Sequence, residues 1–171
     1  PSLPNSLTEL YCGNNQLTTL PTLPASLTNL WCQDNSILLL PVLPPSLIEL
    51  ACHGNQLTSL PVLPATINYL YCNVNQLTTL PDLPANLVDL ICSGNQLTSL
   101  PELPSYMGLL MIDQNPNLAC LPPINYIENF GWTGTAITCL PNNVTIINTS
   151  NPSISNIPIC DYFNGNGCGV G

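Results

Sequence analysis

The chain has 171 residues, 45% of them hydrophobic, which is enough for one domain with a substantial core. It carries nine acidic residues and no Lys or Arg, for a net charge of −9, whereas about 25% of the residues of an ordinary domain are charged, with both signs present. Nothing in it can neutralise phosphates, which argues against nucleic acid and anionic membranes as partners, and solubility must rest on Asn, Ser, Thr, Gln and a few carboxylates. No window resembles a membrane span: the most apolar stretch, Ile37 to Leu50, is interrupted by Pro41, Pro44 and Pro45 and is too short. No signal peptide is seen, and Pro1 begins in the middle of a repeat, which reads as a piece of a longer or processed chain.

The chain is built from a repeat. Cys12, Cys32, Cys52, Cys72 and Cys92 each stand 20 residues apart, inside the pattern L-x-x-L-x-C-x-x-N-x-L-x-x-L-P-x-L-P. In the first copy the pattern is carried by Leu7, Leu10, Cys12, Asn15, Leu17, Leu20, Pro21, Leu23 and Pro24, and later copies begin at Leu27, Leu47, Ile67 and Leu87. A sixth copy reads Met107, Leu110, Ile112, Asn115, Leu118, Leu121 and Pro122, with one extra residue after Asn115. A seventh reads Ile127, Phe130, Trp132, Thr135, Ile137, Leu140 and Pro141. An eighth is expected at Val144, Ile147, Thr149, Pro152, Ile154, Ile157 and Pro158. Three units follow: regular coils over 1–106, irregular coils over 107–158 and a stapled C-terminal segment over 159–171. Irregular last coils are what closing an open core against water requires.

One coil can be read physically. The alternation at Leu10 to Cys12 predicts a short strand, with Leu and Cys inward and Tyr11 outward. Successive strands should stack into a parallel sheet. Asn15, Asn35, Asn55, Asn75, Asn95 and Asn115 sit where the chain turns, and a buried amide there can satisfy backbone groups of adjacent coils. The L-P-x-L-P stretch favours extended, polyproline-like backbone and leaves no room for a helix on the back face.

With these motifs the chain resembles the leucine-rich-repeat family, in its short bacterial class with L-P-x-L-P segments, over nearly its whole length. The resemblance implies a curved right-handed solenoid with short parallel strands on the concave face and an extended convex face. Bacterial effectors that carry ubiquitin-ligase domains have similar repeats, but their catalytic domain has no counterpart in this chain. Cys in the strand, N-Q-L-T-x-L-P and the late C-L-P copies look more like secreted and cell-surface repeat proteins of Bacteroidota. That likeness implies export and a role in adhesion or surface assembly.

The nine Cys residues fall into two groups. The five repeat thiols (Cys12, Cys32, Cys52, Cys72 and Cys92) read as a stack of small buried hydrophobes. A metal-thiolate array is disfavoured, because the thiols are ringed by Leu and lack zinc-site spacing. Disulfides along this stack would need awkward geometry between parallel side chains. Cys120 and Cys139 each precede Leu-Pro and align on adjacent coils, so they are expected to pair. Cys160 and Cys168 flank the loop 161–167 and are expected to form a second staple. Four Cys permit three connectivities, and this choice rests on repeat alignment. Paired thiols suit an oxidising, extracellular compartment.

No catalytic constellation emerges. His53, the only His, follows Cys52, but strand alternation points Cys52 inward and His53 outward as an exposed polar residue. Glu9, Glu49 and Asp89 share one outward position on alternate coils, roughly 9–10 Å apart, too far for one calcium ion with ligands at about 2.3–2.6 Å. No metal site, cofactor or enzymatic activity is therefore expected. The patterns Asn143-Val144-Thr145 and Asn148-Thr149-Ser150 match glycosylation acceptors, as an Asn- and Thr-rich chain does by chance.

The remaining candidate is the outward stripe of Tyr11, Trp31, Ala51, Tyr71, Ile91 and Met111, flanked by Asn29, Gln33, His53, Tyr69, Asn73 and Asp113. A row of exposed aromatics marks protein interfaces and can stack on sugars, although Tyr and Trp also simply favour strands. Leu38 and Leu39 add an apolar spot on another side. The expected function is a non-catalytic extracellular or cell-surface module for protein interaction, adhesion or assembly of a surface structure, with self-association or neighbouring domains as partners. A glycan-binding module and the repeat domain of a secreted effector are the alternatives. Lacking Lys and Arg, the chain offers no trypsin-type cleavage site, which suits a long-lived extracellular part.

Overall fold

The computed structural model describes residues 2–142, 144–149 and 158–160. Eight strands lie in one sheet in chain order, all parallel. They are β1 Glu9–Tyr11, β2 Asn29–Trp31, β3 Glu49–Ala51, β4 Tyr69–Tyr71, β5 Asp89–Ile91, β6 Tyr106–Met111, β7 Tyr126–Gly131 and β8 Thr145–Thr149. No helix occurs among the described residues. The register follows the repeat: Leu10 pairs with Leu30, Leu30 with Leu50, Leu50 with Leu70 and Leu70 with Leu90. The chain is a parallel β-solenoid, as its pattern requires.

Each coil turns by the same local chemistry. Leu27 N–H donates to the Pro24 carbonyl at 3.1 Å, and Leu47, Ile67 and Leu87 repeat the contact with Pro44, Pro64 and Pro84. Proline pre-sets φ near −65° and helps close this P-x-x-L turn into the next strand. The Ser or Thr inside the turn ties it to the previous coil: Ser26 Oγ lies 2.7 Å from the Leu7 carbonyl and 2.8 Å from that of Asn5. Ser46 and Thr66 do the same one and two coils on. After the strand the chain turns through a left-handed residue in each of the first seven coils, at Asn14, Asp34, Gly54, Val74, Gly94, Gln114 and Gly134.

Asn closes that turn. Asn55 Nδ2 lies 3.0 Å from the Cys32 carbonyl and 3.1 Å from that of Cys52, while its Oδ1 accepts from Ile37 N–H at 2.9 Å. Asn35, Asn75, Asn95 and Asn115 repeat the arrangement. One side chain thus satisfies buried backbone groups of two coils that no strand ladder reaches. Asn15 is exposed and donates only within its own coil.

A continuous core runs along the inside. Leu27, Leu30, Cys32 and Ile37 are fully buried, and the equivalent Leu and Cys residues of the next coils match them. Leu7, Leu10, Cys12 and Leu17 are only partly buried, because a coil packs on one side of them alone.

The C-terminal coils differ in three ways. Where the first four coils place Ser or Thr and the fifth Asn86, β6 and β7 begin with Tyr106 and Tyr126, whose backbones pair directly, so these strands are six residues long. The extra residue between Asn115 and Leu118 is offset by one fewer between Ile124 and Ile127, so Tyr106 still pairs with Tyr126.

The eighth coil departs from the expected alignment. Ile127 pairs with Ile146 and Phe130 with Thr149. Ile146, not Ile147, therefore packs toward the core, and Ile147 is 57% exposed. Backbone pairing from Tyr126↔Thr145 onward sets this frame, and it outweighs the placement of apolar letters in a strand rich in Thr and Asn. Pro152, Ile154 and Ile157 lie outside the described residues.

The cysteine pairing is also corrected. Cys139 bonds to Cys160, with Cα atoms 5.0 Å apart, instead of Cys139 to Cys120 and Cys160 to Cys168. A parallel bridge Leu140↔Ile159 lays residues 158–160 against coil seven. Leu140 N–H donates to the Pro158 carbonyl and Cys160 N–H to that of Leu140, which sets Cys160 beside Cys139. Cys120 is not a free thiol either. Cys168 and the loop 161–167 lie outside the described residues.

Candidate functional site

Stacking of the strands converts single outward positions into columns across the sheet face. The first strand position supplies Glu9, Asn29, Glu49, Tyr69, Asp89, Leu109 and Asn129. The third supplies Tyr11, Trp31, Ala51, Tyr71, Ile91, Met111 and Gly131. The structure therefore brings Tyr11, Trp31, Tyr71, Ile91 and Met111 into one stripe beside Tyr69.

The stripe is packed rather than loosely displayed. Tyr11 and Trp31 stack with ring centroids 4.1 Å apart and planes within 7°. Trp31 Nε1 donates to Glu49 Oε1 at 2.9 Å on the next coil, while Asn29 Nδ2 holds Glu49 Oε2 at 3.1 Å. Trp31 thus reaches toward the small Ala51, which is 2% exposed although its position faces outward. Tyr11, at 68%, is the open end of the stack, and Trp31, Tyr69, Tyr71, Ile91 and Met111 are half-buried by their neighbours.

His53 is half-buried instead of exposed, and its Nδ1 is buried without a hydrogen-bond partner. Adjacent outward side chains on strands about 4.8 Å apart cover one another. Cys52 lies on the opposite side of the sheet, fully buried, so the two residues form no dyad.

Electrostatically the face is negative and uncompensated. Burial raises the Tyr71 pKa to about 12, with Asp89 and Glu49 adding to the rise. Burial also raises Asp89, and Glu128 pushes it in the same direction. Among the described residues, no group of three or more His, Cys, Asp or Glu side chains could hold a metal ion. Beneath the sheet, burial raises the thiol pKa values of Cys32 and Cys72 to about 12, and it raises Cys52 and Cys92 as well. Neutral thiols of that kind are poor nucleophiles and poor metal ligands.

A second aromatic group was not found by following the Leu-x-Cys pattern. Tyr106 stacks on Tyr126 at 5.5 Å, and Tyr106 Oη donates to Glu128 Oε1 at 2.9 Å. Its signal was present, since Tyr precedes the first apolar position of coils six and seven at the repeat spacing.

Three solved structures share this arrangement. YopM from Yersinia enterocolitica WA-314 is 36% identical with a TM-score of 0.78, over 85% of this chain and 33% of that one. The LRR domain of a Shigella effector is 30% identical with a TM-score of 0.72, over 85% of this chain and 72% of that domain. This chain belongs to the leucine-rich-repeat proteins. YopM from Yersinia pestis, a leucine-rich effector protein, is 27% identical with a TM-score of 0.71, over 85% of this chain and 46% of that one. The leucine-rich-repeat chain spans about a third of the first of these and nearly three quarters of the Shigella domain. No family model and no curated protein matches it. Among its described residues, no helix is long and apolar enough to cross a membrane.

Proposed function

We propose that this leucine-rich-repeat chain is a non-catalytic protein-interaction module that uses its sheet face as the contact surface. The single observation that carries the reading is the pre-packed aromatic stripe, in which Tyr11, Trp31 and Glu49 hold one another in place before any partner arrives. Side chains already ordered lose little freedom on binding, and aromatic anchors contribute strongly to protein contacts. The similarity to bacterial effector repeats supports protein partners and export from the producing cell.

Within that reading, the Cys139–Cys160 bond favours an oxidising surface location, as in the cell-surface proteins of Bacteroidota, with adhesion or assembly as the role. The effector likeness favours action in a host cell instead. The redox state of Cys139 and Cys160 in protein recovered from its site of action separates the two.

The main test places a photo-crosslinking phenylalanine derivative at Tyr71 or at Val62, which is exposed on the back face. The expected result is a discrete protein adduct from position 71 and none from position 62. Adducts from position 62 alone, or equally from both, would overturn the assignment of the sheet face.

A further inference from the structure

We propose that the sheet face docks a segment of a partner protein that presents Arg or Lys side chains. This deepens the reading of the sheet face as a protein contact surface and rests on it. The argument begins with what holds the carboxylates. Glu49 accepts from the Asn29 amide and the Trp31 indole, Glu9 from the Tyr11 hydroxyl and Glu128 from the Tyr106 hydroxyl. Asp113 accepts from Thr133 N–H and the Ser93 hydroxyl. Each of these donors is neutral. The carboxylates are aimed, and Glu49, Asp113 and Glu128 are half-buried, yet their charge is not cancelled.

The chain holds no Lys or Arg that could cancel it. A second copy of the same 171 residues could not supply the cation either, so the cationic segment lies outside them. The negative charges already oppose one another across the face: Glu128 disfavours ionisation of Asp89, and Asp89 and Glu49 disfavour that of Tyr71. An incoming cation removes that repulsion.

The aromatic rings select the kind of cation. Tyr11, Trp31 and Tyr71 lie in the column next to the one that carries Glu9, Glu49 and Asp89, and Tyr106, stacked on Tyr126, holds Glu128. A guanidinium or ammonium group can rest on a π face while donating to a carboxylate, which a bare divalent ion cannot do with its oxygen-only preference. Carboxylates two coils apart, at about 9–10 Å, suit separate side chains on an extended segment better than one compact ligand.

The test uses fluorescence anisotropy of a labelled oligoarginine peptide, with the equally long citrulline peptide as its uncharged control. Two variants of the 171-residue chain lose the same charge. Glu49→Gln with Asp89→Asn alters the sheet face, and Asp82→Asn with Glu102→Gln alters exposed positions in the L-P-x-L-P stretch. Thermal unfolding verifies that both pairs fold.

Binding of oligoarginine but not of the citrulline peptide is expected. The sheet-face pair should weaken it about tenfold and the back-face pair less than about twofold. Equal losses in the two pairs would mean attraction to net charge alone and would overturn the proposal, as would equal binding of both peptides or none of either. If position 71 still crosslinks to a partner in that last case, the contact surface stands and only the cationic class of its partner falls.

Discussion

At the scale of the residue, two positions in the regular coils do work that their neighbours cannot. The Asn of the ladder serves groups on two coils, and its Oδ1 is the acceptor of a buried N–H on the previous coil. Asn75→Ala would leave Leu57 N–H without its acceptor, while the Cys52 and Cys72 carbonyls keep the Asn55 and Asn95 amides as donors. A buried unsatisfied group costs about 1–3 kcal/mol, so a loss on the order of 2 kcal/mol is expected. Asn15→Ala, at the exposed end, should cost less than about 1 kcal/mol; urea unfolding of the two variants compares them. The residue before each Asn is left-handed, and one coil fills it badly. Val74 has φ 53° and a β-branched side chain that is 59% exposed. Left-handed backbone costs an ordinary L-residue roughly 1–2 kcal/mol, and Asn tolerates it better. Val74→Asn, which copies Asn14, should raise stability by about 1 kcal/mol, seen as a higher urea midpoint with an unchanged slope.

At the scale of the element, the sheet is strongest where its strands are longest and least tied where β8 ends it. β6 and β7 are six residues long because their pairing already starts at Tyr106 and Tyr126. Among the described residues, the last coil is tied by the β7–β8 ladder, the Leu140↔Ile159 bridge and the Cys139–Cys160 bond. A cross-link over 21 residues removes about 3 kcal/mol of freedom from the unfolded chain. Cys139→Ser should therefore release this coil first. Hydrogen exchange should show lost protection across β8 while β2 to β5 keep theirs, since each coil leans only on its neighbours. Uniform loss across the sheet would contradict that independence.

At the scale of the whole molecule, the thiol column links stability to pH. The five free thiols all have raised pKa values in the fold, with burial as the main cause, and Cys32 and Cys72 reach about 12 against an ordinary value of 9.0. An unfolded chain would therefore lose these protons first. The stability due to neutral buried thiols is complete below pH 9 and drains away as pH rises toward 12, by up to ~1.4 kcal/mol per pH unit for each thiol. Urea midpoints taken at about pH 8 and about pH 10.5 should fall steeply for the parent chain. A Cys52→Ala, Cys72→Ala variant should show a shallower fall. Equal slopes would show that the thiols are not the titrating groups.

The repeat made the solenoid legible because period and burial are one property here. A Leu or Cys recurring every 20 residues meets its own copy in the next coil, so L-x-C implied strand, stacking and core together. The outward columns followed from the same alternation. The sequence could not tell how outward side chains share space: Trp31 reaching to Glu49, Ala51 closed over and His53 half-buried depend on which neighbour stands on the next coil. It also misjudged the eighth coil and the partner of Cys139. In both places the repeat signal has faded, and backbone pairing across coils decides which residue faces inward and which thiol lies within bonding reach. Local pattern determines a coil when every position votes the same way; where the votes thin out, only the neighbouring coil settles the register.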